Sequence, residues 1–144
     1  MASAETPDVS TPTVEVTDDL VADLIRRGGY THPLFNPADD DVDAGRRVPL
    51  PGQGVLLIMG GLVEQSGLLD DAIALVELRS VRFLAMVTSG TTLGVRIEEL
   101  ECSTTCSGKS LCVFRWTAVD DKGVPVAEAE AVMLMNRPEQ EVRV

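Results

Sequence analysis

The sequence predicts an α+β layer fold in which an antiparallel sheet wraps one buried helix, and three observations carry that prediction. Residues 55–67 form a nearly continuous apolar run of helical length. A helix apolar on nearly every side has to be covered, so this run is read as the axis of the core. Beyond it the hydrophobic period changes to two, with strands expected over 73–78, 92–101, 111–119 and 124–135. Turn signals separate the later strands at Thr88-Ser89-Gly90, Ser107-Gly108-Lys109 and Asp121-Lys122-Gly123, as a sheet of antiparallel neighbours requires.

The 144 residues make one domain, able to bury ~68% of its unfolded surface. Residues 1–12, rich in Ala, Ser, Thr, Pro and acid, hold too little apolar surface to order themselves and read as a flexible tail. The domain is expected over 13–137, with 138–144 as a C-terminal tail. Val14-Glu15-Val16 is a candidate short strand. Thr17 then reads as an N-cap, with Asp18 and Asp19 in a first turn where carboxylates suit the helix dipole. Leu20, Leu24 and Ile25 supply its apolar stripe, Arg26 and Arg27 suit the last turn, and Gly28-Gly29 ends it. Residues 36–51 carry Pro37, Gly45, Pro49 and Pro51 with a block of aspartates, so they read as a loop, long enough to mark a functional or partner-contacting excursion. Gly52-Gln53-Gly54 opens the apolar run.

Twelve Lys and Arg against 23 Asp and Glu leave a net charge of -11, which repels phosphate backbones and anionic lipid and argues against nucleic-acid and membrane-surface partners. The acids cluster as Asp39-Asp40-Asp41, Asp70-Asp71, Glu98-Glu99-Leu100-Glu101 and Asp120-Asp121, a pattern of solvated loops and strand faces. Cys102, Cys106 and Cys112 lack a second thiol pair and stand far from the only histidine, which argues against a structural zinc site; reduced thiols are the expectation. No basic start followed by an apolar core and no run of about 18 apolar residues occurs, so a soluble cytoplasmic protein is expected. Dinucleotide fingerprint, P-loop and Gly-x-Ser-x-Gly elbow are absent, and neither a cofactor nor a metal is expected.

The only histidine, His32, lies in Gly28-Gly29-Tyr30-Thr31-His32-Pro33-Leu34-Phe35. Imidazole is the side chain best suited to moving protons near neutral pH. A lone His before Pro, flanked by Tyr and Phe, reads equally as a packed turn residue with a satisfied hydrogen bond.

Over residues 14–137 the chain resembles the MaoC-like branch of the hot-dog fold, the R-specific enoyl-thioester hydratases and dehydratases. The resembling segments are Gly29-Tyr30-Thr31-His32-Pro33-Leu34-Phe35, the helix entrance Pro51-Gly52-Gln53-Gly54, Val81-Arg82-Phe83 through Gly90-Thr91-Thr92-Leu93, and Val126-Ala127-Glu128-Ala129-Glu130-Ala131. The family's hydratases carry Gly-Asp-x-Asn-Pro-(Ile/Leu)-His, whose Asp and His activate water or, in reverse, remove an α-proton and protonate the departing hydroxyl. Laid over this chain without a gap, Tyr30 takes the Asp position, His32 the Asn position and Phe35 the His position, so both usual acid/base groups are missing. A phenol is a poor base near neutral pH and a phenyl ring carries no proton.

The resemblance leaves three accounts. In the first, His32 has become the proton carrier of a hydratase or dehydratase, alternately base and acid, with Tyr30 and Thr31 orienting the substrate. In the second, an acyl thioester undergoes other proton chemistry, such as isomerisation or cyclisation. In the third, the chain is a catalytically silent partner subunit or carrier-binding module. The first ranks highest, since two groups are lost where the only His is gained. The resemblance also implies that free amides at the buried helix's N-terminus polarise the thioester carbonyl, with Gly54 as donor, Gly52 and Gln53 shaping the approach, and Phe35 in substrate contact. Alternatively, Gly52 and Gly54 merely form a tight turn. Glu64 supplies a reading from another class, a hot-dog thioesterase with a carboxylate on this helix, against the simpler one of a helix end emerging into water. Arg82 and Lys109 are candidates for a phosphate of CoA or a carrier-protein arm, or plain surface groups. The implied substrate is an acyl-CoA or acyl-carrier-protein thioester of lipid or polyketide metabolism. The implied assembly is a homodimer whose clefts use both chains, or a heterodimer with an active homologue.

Overall fold

The N-cap expected at Thr17 forms: its side chain accepts the Leu20 N–H at 3.1 Å and starts α1, Asp18–Gly28, which buries Val21 and Ile25. The computed structural model describes residues 9–43, 45, 47–105 and 107–137. In chain order its elements are β1 Val9–Ser10, β2 Val14–Glu15, α1, α2 Asp39–Asp43, α3 Gly52–Gln65, β3 Ala72–Phe83, β4 Thr92–Thr104, β5 Ser110–Val119 and β6 Pro125–Met135. The sheet runs β1-β4-β5-β6-β3 with every pairing antiparallel, and β2 adds to β4.

The core sits between α3 and the inner face of this sheet. Strand alternation sends Leu93, Val95 and Ile97 of β4, Phe114, Trp116 and Ala118 of β5, and Ala127, Ala131, Met133 and Met135 of β6 inward. Val55, Met59, Leu62 and Val63 of α3 join the same cluster, which makes the apolar run the axis it was expected to be. The β5–β6 turn is held by Asp120, whose Oδ1 accepts the Lys122 and Val124 N–H groups at 2.9 Å each, with Gly123 at φ 77° supplying the left-handed step.

The structure corrects the sequence reading in four places. The tail expected to run to residue 12 is narrower, because Val9 and Ser10 pair with Ile97 and Arg96, and the Thr11 N–H donates to the Val95 carbonyl at 3.0 Å; residues 1–8, like the C-terminal tail 138–144, lie outside the described residues. The loop 36–51 contains α2, whose first turn holds Asp39, Asp40 and Asp41, where negative charge meets the positive end of the helix dipole. β3 runs five residues past the expected strand end, through register shifts and Ser80 at φ 53°; irregularities of this kind break the period of two that sequence reading relies on. The expected reduced thiols are replaced, for two of the three cysteines, by a disulfide between Cys102 and Cys112, which face each other across β4 and β5. Cys106 lies outside the described residues.

Arg137, just past β6, ties this end of the sheet together with contacts to Asp71 at 2.9 Å and Glu99 at 2.6 Å. Burial works against its charge, but the side-chain hydrogen bonds to Glu99 and Asp71 outweigh it and hold the guanidinium above its ordinary range. The apolar run is not covered all round, since Leu57 on α3 is 65% exposed; on β3, Ile73, Leu75, Val76 and Phe83 are about half exposed as well. β3 is also the end of the sheet path, so one of its edges has no strand partner among the described residues.

Candidate functional site

The end of α1 fixes where the motif segment begins. Gly29 adopts φ 75°, its N–H reaching the Arg26 carbonyl at 3.2 Å, and the Tyr30 N–H reaches the Ile25 carbonyl at 3.1 Å. Glycine takes this left-handed conformation without a Cβ penalty, and it turns the chain so that Tyr30 leaves the helix at once.

Residues 30–36 then close on themselves. The His32 carbonyl accepts the Phe35 and Asn36 N–H groups at 3.0 and 3.1 Å, while Asn36 Nδ2 donates to the Tyr30 carbonyl at 2.9 Å and to that of His32 at 3.3 Å. Tyr30 and Phe35 stack edge to face with ring centroids 5.1 Å apart. His32 is exposed, and its Nδ1 accepts the Leu34 N–H at 3.0 Å. With Nδ1 accepting, the neutral ring carries its proton on Nε2 and presents a donor outward.

A single side-chain bond joins this loop to the helix entrance: Tyr30 Oη donates to Gln53 Oε1 at 3.1 Å. Replacing Tyr30 by phenylalanine removes that bond and keeps the ring contact, so a loss of no more than about 1 kcal/mol is expected in denaturant unfolding. Tyr30→Ala, which also removes the Phe35 stack, is expected to cost more.

At the entrance itself Pro51 is the N-cap and brings no capping side chain. The Gly54 N–H is already given to the Pro51 carbonyl at 2.8 Å, and that of Val55 to the same oxygen at 3.1 Å. Gly54 is therefore not the free donor that the resemblance implied. The amides of Gly52 and Gln53 have no acceptor among the described residues, and they are the ones left to face a carbonyl. A side chain at either glycine of this entrance would press on a neighbouring side chain. A Cβ on Gly52 would stand 2.9 Å from Phe83 Cζ, and one on Gly54 3.2 Å from Leu24 Cδ1.

Tyr30, Thr31 and Phe35 line a groove of about 1200 Å³ with Val21, Ile25 and Val48. His32 and residues 52–54 are outside that lining, so within one chain the proposed proton carrier and the proposed carbonyl donors do not share the groove. Glu64 is exposed near the last turn of α3, about 18 Å along the axis from Gly52 at a rise of about 1.5 Å per residue. That distance separates it from the motif loop and weakens the thioesterase reading. Arg82 is exposed and pairs with Glu128 at 3.6 Å, in keeping with a surface role.

Sequence reasoning missed three contributors. Asn36 closes the motif turn, a role that an Asn directly after the motif could have signalled. Phe83 lies over Gly52, and Arg137 organises the disulfide end of the sheet. The partners of Arg137 lie 66 and 38 residues away, so no local pattern announces it.

No family model matches the chain, and no curated protein matches it. Solved structures do. The MaoC-like dehydratase from Rhodospirillum rubrum aligns with TM-score 0.74 at 16% identity over 94% of this chain and 95% of that one. The (R)-hydratase from A. caviae involved in PHA biosynthesis aligns at 0.69 and 17% identity over 94% and 98%. The truncated 3R-hydroxyacyl-ACP dehydratase complex HadBC from Mycobacterium tuberculosis aligns at 0.69 and 19% identity over 92% and 99%. The curled antiparallel sheet around α3, with α1 and the motif loop ahead of it, is thus a hot-dog fold built on the plan of the MaoC-like dehydratases and (R)-hydratases.

Proposed function

We propose that this chain acts on an acyl thioester, of CoA or of an acyl carrier protein, in a hydratase or dehydratase reaction, with His32 as proton carrier. The observation that carries the reading is the Tyr30–Gln53 hydrogen bond, which docks the motif loop on the N-terminus of α3, where the Gly52 and Gln53 amides have no acceptor among the described residues. Those amides, Gly52 and Gln53, are suited to hold the negative charge that builds on the thioester oxygen when the α-proton leaves. Tyr30 and Thr31 orient the substrate and Phe35 supplies apolar contact.

In the dehydrating direction, His32 Nε2 takes the α-proton, the electron pair moves into the thioester carbonyl, and the same imidazolium returns a proton to the departing hydroxyl, which leaves as water. For Nε2 to act as a base the ring proton must move to Nδ1, which releases the Leu34 amide. That hydrogen bond is exposed to water and is worth about 1 kcal/mol, which sets a penalty of roughly fivefold on the rate. This is small beside what general acid–base catalysis supplies.

The exposed apolar side chains of β3 and its unpaired edge among the described residues support a homodimer through that edge, since a long apolar edge strand invites pairing. A partner chain seated there would bring a second wall to the cleft. The reading keeps a cytoplasmic location and lipid or polyketide metabolism; among the described residues no helix is long and apolar enough to cross a membrane. A second reading, a catalytically silent subunit paired with an active homologue, is favoured by the Leu34 contact on His32 and by Tyr30 and Phe35 standing where the family carries its acid/base pair.

The test follows the enoyl absorbance of short and medium trans-2-enoyl and 3-hydroxyacyl thioesters. Turnover by the wild type, unchanged in Glu64→Ala, is the expected result. Thioester binding without turnover would favour the silent subunit, and hydrolysis abolished in Glu64→Ala would restore the thioesterase.

A further inference from the structure

At the end of the sheet held by Arg137, the Cys102–Cys112 disulfide has an asymmetric setting. Cys102 is exposed, whereas Cys112 is fully buried. Arg137 Nη1 lies 3.6 Å from both sulfurs, and Glu99 and Asp71 hold the guanidinium there at 2.6 and 2.9 Å. The sulfurs of a disulfide are uncharged and gain little from a cation. A thiolate gains much, because a neighbouring guanidinium favours the ionised sulfur.

The crosslink is also dispensable for holding its strands together. The two cysteines are only 10 residues apart, and the ladder pairs Glu101 with Val113 and Ser103 with Leu111 on either side of them, while β6 holds the other edge of β5. The loop is already closed by backbone pairing, so opening the bond leaves the sheet in place. Glu99 Oε1 stands 3.5 Å from Cys102 Sγ, close enough for its charge to oppose a thiolate there, and the three ligand atoms of Glu99, Cys102 and Cys112 lie within 4.8 Å of one another; with Arg137 3.6 Å from Cys112 Sγ, Cys112 is the sulfur better placed to keep a negative charge.

We propose that Cys102 and Cys112 form a reversible thiol–disulfide site, in which a small dithiol attacks the exposed Cys102 sulfur and Arg137 stabilises the Cys112 thiolate that leaves. One thiolate of the dithiol bonds to Cys102 Sγ as the Cys102–Cys112 bond breaks, and Cys112 keeps the electron pair beside Arg137. The second thiolate then attacks the dithiol's own sulfur in the mixed disulfide, closing the cyclic oxidised reagent and releasing Cys102 as thiolate. Two electrons pass from dithiol to protein; the dithiol is oxidised and the pair reduced.

The site is tested in a Cys106→Ser background, so that only this pair is counted. Dithiothreitol without denaturant is expected to expose two titratable thiols, and oxidised dithiothreitol to remove them. Arg137→Gln is expected to slow the opening about tenfold, since a leaving thiolate of higher pKa departs more slowly, with Arg137→Lys in between. If Arg137→Gln fails to fold, the opening rate of Arg137→Lys against that of the protein carrying Arg137 decides, with slower opening expected. A pair that resists dithiothreitol until the protein is unfolded, or opening as fast in a folded Arg137 variant as in the protein carrying Arg137, would overturn the proposal.

Discussion

Turnover of an acyl thioester is expected to fall about 10²- to 10⁴-fold when His32 is replaced by alanine, the range that a positioned proton carrier supplies. His32 is the only imidazole in the chain, so no second ring takes its place. The effect should lie in kcat, because the ring acts on charge that appears only in the transition state. Stability should change by no more than about 1 kcal/mol, since the residue is exposed and its side chain makes one bond, to the Leu34 amide. Steady-state kinetics paired with thermal unfolding separates the two effects. A His32→Ala variant with full turnover would remove the residue from the mechanism and leave it as an exposed turn histidine with one hydrogen bond.

Phe114→Ala is expected to destabilise the domain by about 3–5 kcal/mol, the usual cost of deleting a buried phenyl ring. Phe114 is 1% exposed, lies in the central strand β5 and packs in the cluster that holds α3 against the sheet. Loss of this side chain leaves a cavity in the cluster that α3 also joins. A cost this size is a large part of the stability of an ordinary domain, so the variant should show a lower denaturant midpoint. Urea unfolding with an unchanged slope would tie the loss to packing rather than to a change in the unfolded chain. A loss below about 1 kcal/mol would mean that the site collapses around the gap and that the core is looser than its burial implies.

The fold was legible because its strongest signals are periodic and local. The apolar run before Gly67, the alternation through Val126, Glu128, Glu130 and Val132, and the Thr17 cap each speak for their own element without help from distant residues. The parts that were not legible depend on distance or on irregularity. β3 continues past the charged Arg79 and Arg82 only because a bulge at Ser80 resets its register against β6. The disulfide needed the register of β4 on β5, which brings Cys102 opposite Cys112, and cysteine spacing alone does not supply that.

The site divides in the same way. The resemblance implied clefts built from both chains, with the helix entrance of one near the motif loop of the other, whereas the Tyr30–Gln53 bond joins the two within a single chain. Which amide is free did not follow, because residue type says nothing about whether Gly54 spends its N–H on Pro51. Nor could sequence show that His32 Nδ1 takes the Leu34 amide, a contact made by the turn's own shape. His32 lies outside the groove that Tyr30, Thr31 and Phe35 line, and no local pattern in the sequence separates it from its neighbours in that way.

The central claim is that the α3 entrance receives a thioester carbonyl, and the amide spectrum of isotopically labelled protein tests it most directly. The probe is an acyl-CoA analogue in which a methylene replaces the thioester sulfur, which keeps the carbonyl and leaves no thiolate to be released by hydrolysis. Saturable downfield shifts of the Gly52 and Gln53 amide protons, with the Gly54 proton little moved because Pro51 already holds it, are the predicted result. Shifts confined to other surfaces, or none at saturating analogue, would contradict the account.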